Sequence, residues 1–312
     1  MSHTIIVTEF MDEAAVERLR ATHPTLYDPG LVDAPDRLAA ALGGAQALIV
    51  RNRTRVDAAL LSHSPGIRVV GRLGVGLDNI DLPACRARGV EVIPATGANA
   101  DSVAEYVILA VGMLLRGAFM SSAEVAAGGW PRTRLSSGRE MAGKTLGIVG
   151  FGDIGRRVAK LARAFGMQLI AHDPVLPNDH SGWTETPTER VSLEDLFARA
   201  DAVTLHVPLT EATRGLVSAA CLARMKPGAV LVNTARGGVV DEAALAAALR
   251  EGRLGGAALD VFETEPLPAG SPLADAPNLL LTPHIAGVTQ ESNTRVSSLI
   301  AERVLVALAM AC

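Results

Sequence analysis

Aromatic residues are nearly missing from this chain of 312: 6 Phe, 2 Trp and 2 Tyr amount to 3% of it. A surface that stacks bases along a nucleic acid needs more rings than that. The same scarcity leaves a core of Val, Leu, Ile and Ala, the composition of parallel strands covered by helices. Cysteine is scarce too, with only Cys85, Cys221 and Cys312, far apart and odd in number. Such a set builds neither a disulfide framework nor a metal cluster, and the expected compartment is a reducing cytoplasm. No uninterrupted apolar run approaches the roughly 18 residues of a membrane span. The first residues enter a strand-like run at once, without a basic region or a signal-peptide core. Net charge is small: 29 Lys+Arg against 33 Asp+Glu leave −4, which argues against a general polyanion binder.

What is present is apolar sequence, 49% of the chain, in a length that suits two domains of roughly 100–200 residues each. Short apolar runs at 4–7, 47–50, 68–72 and 90–93 read as buried strands. Between them, 12–21, 35–42, 57–63 and 82–88 read as helices. A longer helical stretch runs from 102 to about 120, and a looser Gly-, Pro- and Ser-containing segment covers 128–138. Alternation then resumes, with strands at 145–149, 168–171, 202–205, 230–233, 257–261 and 279–281. The clearest helices around them are 192–199, 241–250 and 289–311. Strand–helix alternation of this kind predicts an α/β fold with parallel sheets. The last helix starts after the second set of strands is complete, and it is expected to pack back on the first half.

The strongest local signal follows the strand at 145–149: Gly150-Phe-Gly152-Asp153-Ile154-Gly155, opening directly into a helical pattern. The first glycine allows a tight turn, the second lets the backbone approach a pyrophosphate, and the third lets helix and strand pack closely. Chance matches to such a pattern occur in a chain with 30 glycines; Gly74-Val75-Gly76 nearly imitates it. Asp173 adds weight, standing 23 residues after Gly150 at the end of the next strand. A carboxylate there bonds the adenosine ribose hydroxyls and repels a 2′-phosphate, so NAD is expected rather than NADP.

Three later motifs sit at strand ends: Asn233-Thr234-Ala235-Arg236-Gly237-Gly238, Asp260-Val-Phe-Glu-Thr-Glu265-Pro266, and Thr282-Pro283-His284-Ile285-Ala286-Gly287. Ligands collect at the carboxyl ends of strands in open α/β sheets. Taken singly, Arg236 is equally a surface arginine and His284 a packed strand-end histidine. In this order, and together with Arg72-Leu-Gly74-Val75-Gly76-Leu-Asp78-Asn79, residues 99–105 and His206-Val207-Pro208-Leu-Thr210, they resemble the D-isomer-specific 2-hydroxyacid dehydrogenases. The resemblance covers nearly the whole chain.

That resemblance implies two Rossmann- or flavodoxin-like parallel-sheet domains, with a nucleotide domain at 99–288 inserted in a substrate domain made of 1–98 and 289–312. It implies Arg236, Glu265 and His284 as the catalytic set. Imidazole suits a base for alcohol oxidation because it titrates near neutrality. A carboxylate partner fixes its tautomer, and an arginine holds the substrate carboxylate and polarises the carbonyl. The family pattern also implies cofactor contacts at His206, Val207, Pro208, Thr213, Thr234, Ala235, Asp260 and Gly287, and substrate-carboxylate contacts at the backbone of Gly74, Val75 and Gly76. Glutamate at 265 speaks against the formate dehydrogenase branch, where Gln is expected.

The substrate's far end is expected at Arg51-Asn52-Arg53-Thr54-Arg55, with Arg72 ending the next strand. If this segment is extended, Arg51 and Arg53 point to one side and could clamp a second anion; a solvated basic loop explains them equally. The Arg-x-Arg-Thr stretch resembles some phosphoglycerate dehydrogenases, and the opening Glu9-Phe10-Met11-Asp12-Glu13 resembles bacterial sulfolactate dehydrogenases. The expected substrate is therefore a small 2-hydroxy acid with a second anionic group, 3-phosphoglycerate or 3-sulfolactate. The alternatives are a glyoxylate/hydroxypyruvate reductase and an NAD(H)-sensing corepressor of the same fold. The apolar helix from 102 and Trp130-Pro131-Arg132 correspond to the family's dimerising segment, so a homodimer is expected, with neither nucleic acid nor membrane as partner.

Overall fold

The computed structural model describes residues 4–310. The chain divides into two compact units, Met1–Asn99 with Val288–Cys312, and Ala100–Gly287. Cys312 and the expected end of the last helix at 311 lie outside the described residues.

The first unit holds a parallel sheet of β1 (Ile5–Val7), β2 (Thr25–Tyr27), β3 (Ala47–Val50), β4 (Val69–Arg72) and β5 (Glu91–Pro94), in the order β2-β1-β3-β4-β5. Strand side chains alternate between two apolar layers. Ile5, Val7, Ala47, Ile49 and Val69 face the helices Glu13–Arg20 and Gln290–Met310. Ile6, Leu48, Val50 and Val70 face Leu38, Leu61 and Cys85 from three short helices. Asp12, Asp57 and Asp81 cap helix starts, each accepting a backbone N–H from the first turn. A Cβ on Gly71 of β4 would stand 2.7 Å from Ile300 Cγ2 and 2.9 Å from Val304 Cγ2, so glycine is what lets the last helix lie on the sheet.

The second unit is built on seven parallel strands: β6 (Thr145–Val149), β7 (Gln168–His172), β8 (Glu189–Arg190), β9 (Ala202–Leu205), β10 (Val230–Asn233), β11 (Gly256–Leu259) and β12 (Leu279–Leu281). Their order is β12-β11-β10-β9-β6-β7-β8. The helices Ala100–Arg116 and Asp153–Ala164 cover one face, and Leu193–Arg199, Ala219–Arg224 and Glu242–Arg250 the other. Among the few rings, Phe151 and Trp183 stack at 4.7 Å, and Phe151 and Phe197 are fully buried.

Several element bounds differ from the sequence expectation, each for a local reason. The helix expected over 102–120 stops at Arg116, because Gly117 takes φ +67° and turns the chain. The looser segment contains a short helix, Arg132–Leu135. Strands β2 and β8, of three and two residues, are too short to show a periodic pattern. The stretch 51–54 is a curled loop rather than an extended one, so Arg51 and Arg53 do not share a side by strand alternation.

That loop is curled around a carboxylate. Glu9, 5% exposed, accepts backbone N–H groups from Arg51 (2.8 Å), Asn52 (3.3 Å), Arg53 (3.1 Å) and Thr54 (3.0 Å). From the other side, the Asn79 amide donates to the carbonyls of Thr54 (2.6 Å) and Arg51 (3.3 Å). Burial alone pushes the Glu9 carboxyl up, but the converging N–H groups outweigh it and hold the group below its ordinary value. The stability it adds is therefore complete above the usual carboxylate range and is lost as pH falls through and below it. Glu9→Ala, which orphans these buried donors, is expected to lower the unfolding free energy by about 2–4 kcal/mol in urea titrations at neutral pH, with a smaller difference from wild type in acid.

Candidate active site

In the second unit the chain runs β6, β7, β8 toward one edge and then crosses back to β9, so strand order reverses between β6 and β9. Open parallel sheets bind ligands beyond the strand ends at such a seam. The two loops leaving it are pressed together. A Cβ on Gly150, whose φ is +90°, would stand 2.4 Å from the carbonyl oxygen of His206. A Cβ on Gly155 would stand 2.3 Å from the carbonyl of Gly150, while Gly152 faces open space. Gly152 begins the twelve-residue helix Asp153–Ala164, whose first N–H groups point beyond the strand ends. Asp153 bonds Arg157 at 3.2 Å, and Ile154 packs into the core beneath.

Asp173, just past β7, anchors the same turn. Its carboxylate accepts N–H groups from Phe151 (2.8 Å), Val175 (2.9 Å) and Leu176 (2.9 Å). His206 keeps its ring against Thr204 Oγ1 at 3.0 Å, and burial pushes its pKa down to about 3, so it stays neutral near pH 7. Val207 packs on the core. Thr213 donates to the Pro208 carbonyl at 2.6 Å and accepts the Thr210 N–H at 2.8 Å, so its hydroxyl ties its own loop.

At the end of β10, buried Asn233 staples a turn: its Oδ1 accepts the Ala235 N–H at 3.0 Å and its Nδ2 donates to the Arg236 carbonyl at 3.0 Å. Gly237 is obligatory, since a Cβ there would lie 1.7 Å from the Phe262 carbonyl oxygen. The turn holds Arg236, whose Nη1 donates to the Ala235 carbonyl at 2.6 Å. Thr234 Oγ1 is buried without a hydrogen-bond partner, a polar atom awaiting one from a ligand.

The histidine is set by two carboxylates. Buried Asp260 accepts the N–H groups of Ile285 and Ala286, both at 2.8 Å, and the Thr282 hydroxyl at 2.7 Å. The Tyr106 hydroxyl meets Thr282 Oγ1 at 2.6 Å, extending the chain to the helix Ala100–Arg116. These bonds hold His284 at φ +57°, a left-handed conformation uncommon for a non-glycine residue. Its Nδ1 meets Glu265 Oε2 at 2.8 Å, and Glu265 Oε1 accepts the Phe262 N–H at 3.1 Å. Arg236, Glu265 and His284 thus all leave the C-terminal side of the sheet, from the loops after β10, β11 and β12. Gly287 closes the unit.

The first unit has a corresponding edge. A Cβ on Gly74 would lie 1.4 Å from Arg72 Nη1, so the guanidinium occupies the space that glycine leaves. Arg72 also donates to the Leu73 carbonyl at 3.2 Å. Val75 is exposed and Gly76 partly so. Arg51 Nη2 donates to Asn293 Oδ1 at 2.9 Å, and Arg53 pairs with Asp33.

Tyr106 and the loop-holding roles of Glu9, Asn233 and Asp260 are not legible in the sequence. Glu9, Asn233 and Asp260 stand inside the quoted motifs, but nothing there gives their partners. Glu9 and Tyr106 act across 45 and 176 positions, beyond any spacing rule.

A dinucleotide fits this arrangement: a glycine-lined turn with one position open, a helix start facing it, a carboxylate at the end of β7 and an orphaned hydroxyl at the end of β10. Asp173→Asn removes the charge and keeps an acceptor oxygen. It is expected to lower the preference for NADH over NADPH by about tenfold or more, read from the ratio of dissociation constants in fluorescence titrations.

Residues 108–286 match the family model described as the D-isomer specific 2-hydroxyacid dehydrogenase, NAD binding domain. The chain is 54% identical over 304 residues to an (S)-sulfolactate dehydrogenase from Chromohalobacter salexigens, covering 97% of this chain and 98% of the relative. It is 44% identical over 280 residues to a D-3-phosphoglycerate dehydrogenase from Mycobacterium leprae, covering 89% of this chain but 52% of that longer relative. Among solved structures, a protein from Thermus thermophilus superposes with a TM-score of 0.88 at 36% identity, covering 98% of this chain and 97% of the other. On its sequence, its sheets and these likenesses, the chain belongs to the NAD-dependent D-isomer specific 2-hydroxyacid dehydrogenases.

Proposed function

We propose that this enzyme interconverts 3-sulfolactate (2-hydroxy-3-sulfopropanoate) and 3-sulfopyruvate. The observation that carries the substrate is the 54% identity, end to end on both chains, with a relative named for (S)-sulfolactate. The stereochemistry agrees with the family. In lactate the carboxyl outranks the methyl group, whereas in sulfolactate the sulfur-bearing carbon outranks the carboxyl. The D arrangement therefore carries the label S once a sulfonate is attached.

The bound nicotinamide supplies the hydride acceptor or donor at C2. The chain's own groups do the rest. Arg236 holds the carboxylate and polarises the C2 oxygen through charge-assisted hydrogen bonds. His284 takes the hydroxyl proton in oxidation and returns it in reduction. Glu265, bonded to Nδ1, leaves Nε2 as the exchanging nitrogen and stabilises the imidazolium. Gly150, Gly152 and Gly155 seat the pyrophosphate at the start of the helix Asp153–Ala164, and Asp173 takes the adenosine ribose. Thr234 and Ala235, with Asp260 and Gly287 shaping the histidine turn, are assigned to the nicotinamide end. His206, Val207, Pro208 and Thr213 are assigned to the adjoining wall. Recognition of the acid's carboxylate and second anion falls to the first unit, through the backbone of Gly74, Val75 and Gly76 and the side chains of Arg51, Arg53 and Arg72.

A homodimer is part of the reading. The second unit exposes Leu109 (65%), Phe119 (59%) and Trp130 (79%), more large apolar surface than a solvated helix and loop normally show. No helix among the described residues is long and apolar enough to cross a membrane. The free thiols Cys85 and Cys221 suit a reducing cytoplasm.

The decisive measurement is NADH oxidation at 340 nm with sulfopyruvate, phosphohydroxypyruvate, hydroxypyruvate and glyoxylate. Sulfopyruvate is expected to give the highest kcat/KM. A flat panel beside tight NADH binding would instead favour a dinucleotide sensor. His284→Ala should cut turnover by about 10²–10⁴-fold while NADH still binds; unchanged turnover would falsify the assignment of the base. Leu109→Glu combined with Trp130→Glu should shift the molecule from dimer to monomer in sedimentation velocity, and a monomeric wild type removes the dimer from the reading.

A further inference from the structure

The sheet of the first unit reverses its strand order between β1 and β3, where Val7 pairs with Ile49. The seam rule that places a ligand at the β6/β9 edge applies here as well. Two loops leave the β1/β3 seam, 8–12 and 51–54, and between them they carry Glu9, Phe10, Arg51 and Arg53. Converging backbone N–H groups such as those of 51–54 are by themselves an anion cradle. Here the cradle is already filled by the Glu9 carboxylate, so an incoming anion is left to the side chains.

Each arginine at the seam is already engaged, Arg53 by a carboxylate and Arg51 by an amide with the Glu9 charge nearby. Arg51 lies 5.9 Å over the Phe10 ring and bonds Asn293; desolvation lowers its pKa, and the nearby Glu9 charge offsets this only in part. Arg53 is held by Asp33 through both terminal nitrogens, the longer contact being 3.3 Å, and this bonding raises its pKa. Two guanidinium groups and two carboxylates sum formally to zero before any ligand arrives.

We infer that Glu9 and Asp33 set the charge of the substrate this seam accepts, favouring a group with one negative charge over one with two. The inference rests on the reading of the substrate as a sulfonated 2-hydroxy acid. A sulfonate is a monoanion at every physiological pH, whereas a phosphomonoester carries about −1.5 to −2 near pH 7. The arginine fork supplies directed donors to either group. The additional charge of the phosphate, however, meets the carboxylate of Glu9 or must displace Asp33 from Arg53. Asp33 acts through Arg53, so it is a specificity residue by position rather than a catalytic one.

The test measures kcat/KM for 3-sulfolactate and 3-phosphoglycerate with wild type, Asp33→Asn and Asp33→Lys. The Asp33–Arg53 pair is exposed, with side chains 64% and 58% accessible. Both variants are therefore expected to fold as wild type does, which circular dichroism checks. The phosphoglycerate-to-sulfolactate ratio should rise about three- to tenfold in Asp33→Asn and further in Asp33→Lys, with the gain shrinking at high salt. A purely structural role would lower both substrates together. A ratio that stays within about twofold of wild type in both variants, or moves toward the sulfonate, overturns the inference alone. Wild-type turnover of neither acid overturns it together with the proposed function.

Discussion

The carbonyl oxygen of His206 occupies the place where a side chain on residue 150 would have to begin. That contact, backbone against backbone at the reversal of strand order, fixes how closely the β6 and β9 loops approach and where the helix after Gly152 starts. The same constraint recurs at Gly155 against Gly150 and at Gly237 against Phe262. The turn that carries Arg236 can lie against the Phe262–Glu263 backbone only because Gly237 has no side chain. Side chains that do chemistry are thereby displayed above a sheet whose central strands β6, β9, β10 and β11 are almost wholly buried.

Several carboxylates serve this molecule as internal anions. Glu9 gathers four N–H groups, Asp173 three, and Asp260 two together with a hydroxyl. Each stands just past a strand and draws an irregular segment into a fixed shape without help from regular structure. A buried carboxylate fully bonded to backbone donors rigidifies its loop, whereas a partly bonded one would be costly. Glu265 belongs to the same pattern, with one oxygen bound to the Phe262 N–H and the other to the imidazole.

Most strands were legible in the sequence because burial on both faces leaves a short run of apolar residues, down to three in Ile5–Val7 and Leu279–Leu281. Thr25–Tyr27 and Glu189–Arg190, at the sheet edges, were not, since neither is fully buried and neither carries an unbroken apolar run. The glycine turn was legible from spacing, and Arg236, Glu265 and His284 from their order along the chain. Arg51 and Arg53 could be named but not oriented. Their direction depends on Glu9, 42 to 44 positions earlier, and on Asp33 and Asn293, which no local pattern connects to them. What stayed hidden was the set of side chains whose partners are chosen by tertiary contact.

The helix Gln290–Met310 packs its Ile300 and Val304 over Gly71, in a unit whose other elements all precede residue 100. During synthesis, the first sheet therefore emerges with one face only partly covered and must wait while some two hundred further residues are made. The continuous second unit can complete its own core in that interval. The order of emergence from the ribosome is thus opposite to the order of completion, and the part of the sheet face that receives Ile300 and Val304 stays uncovered until the last helix is made.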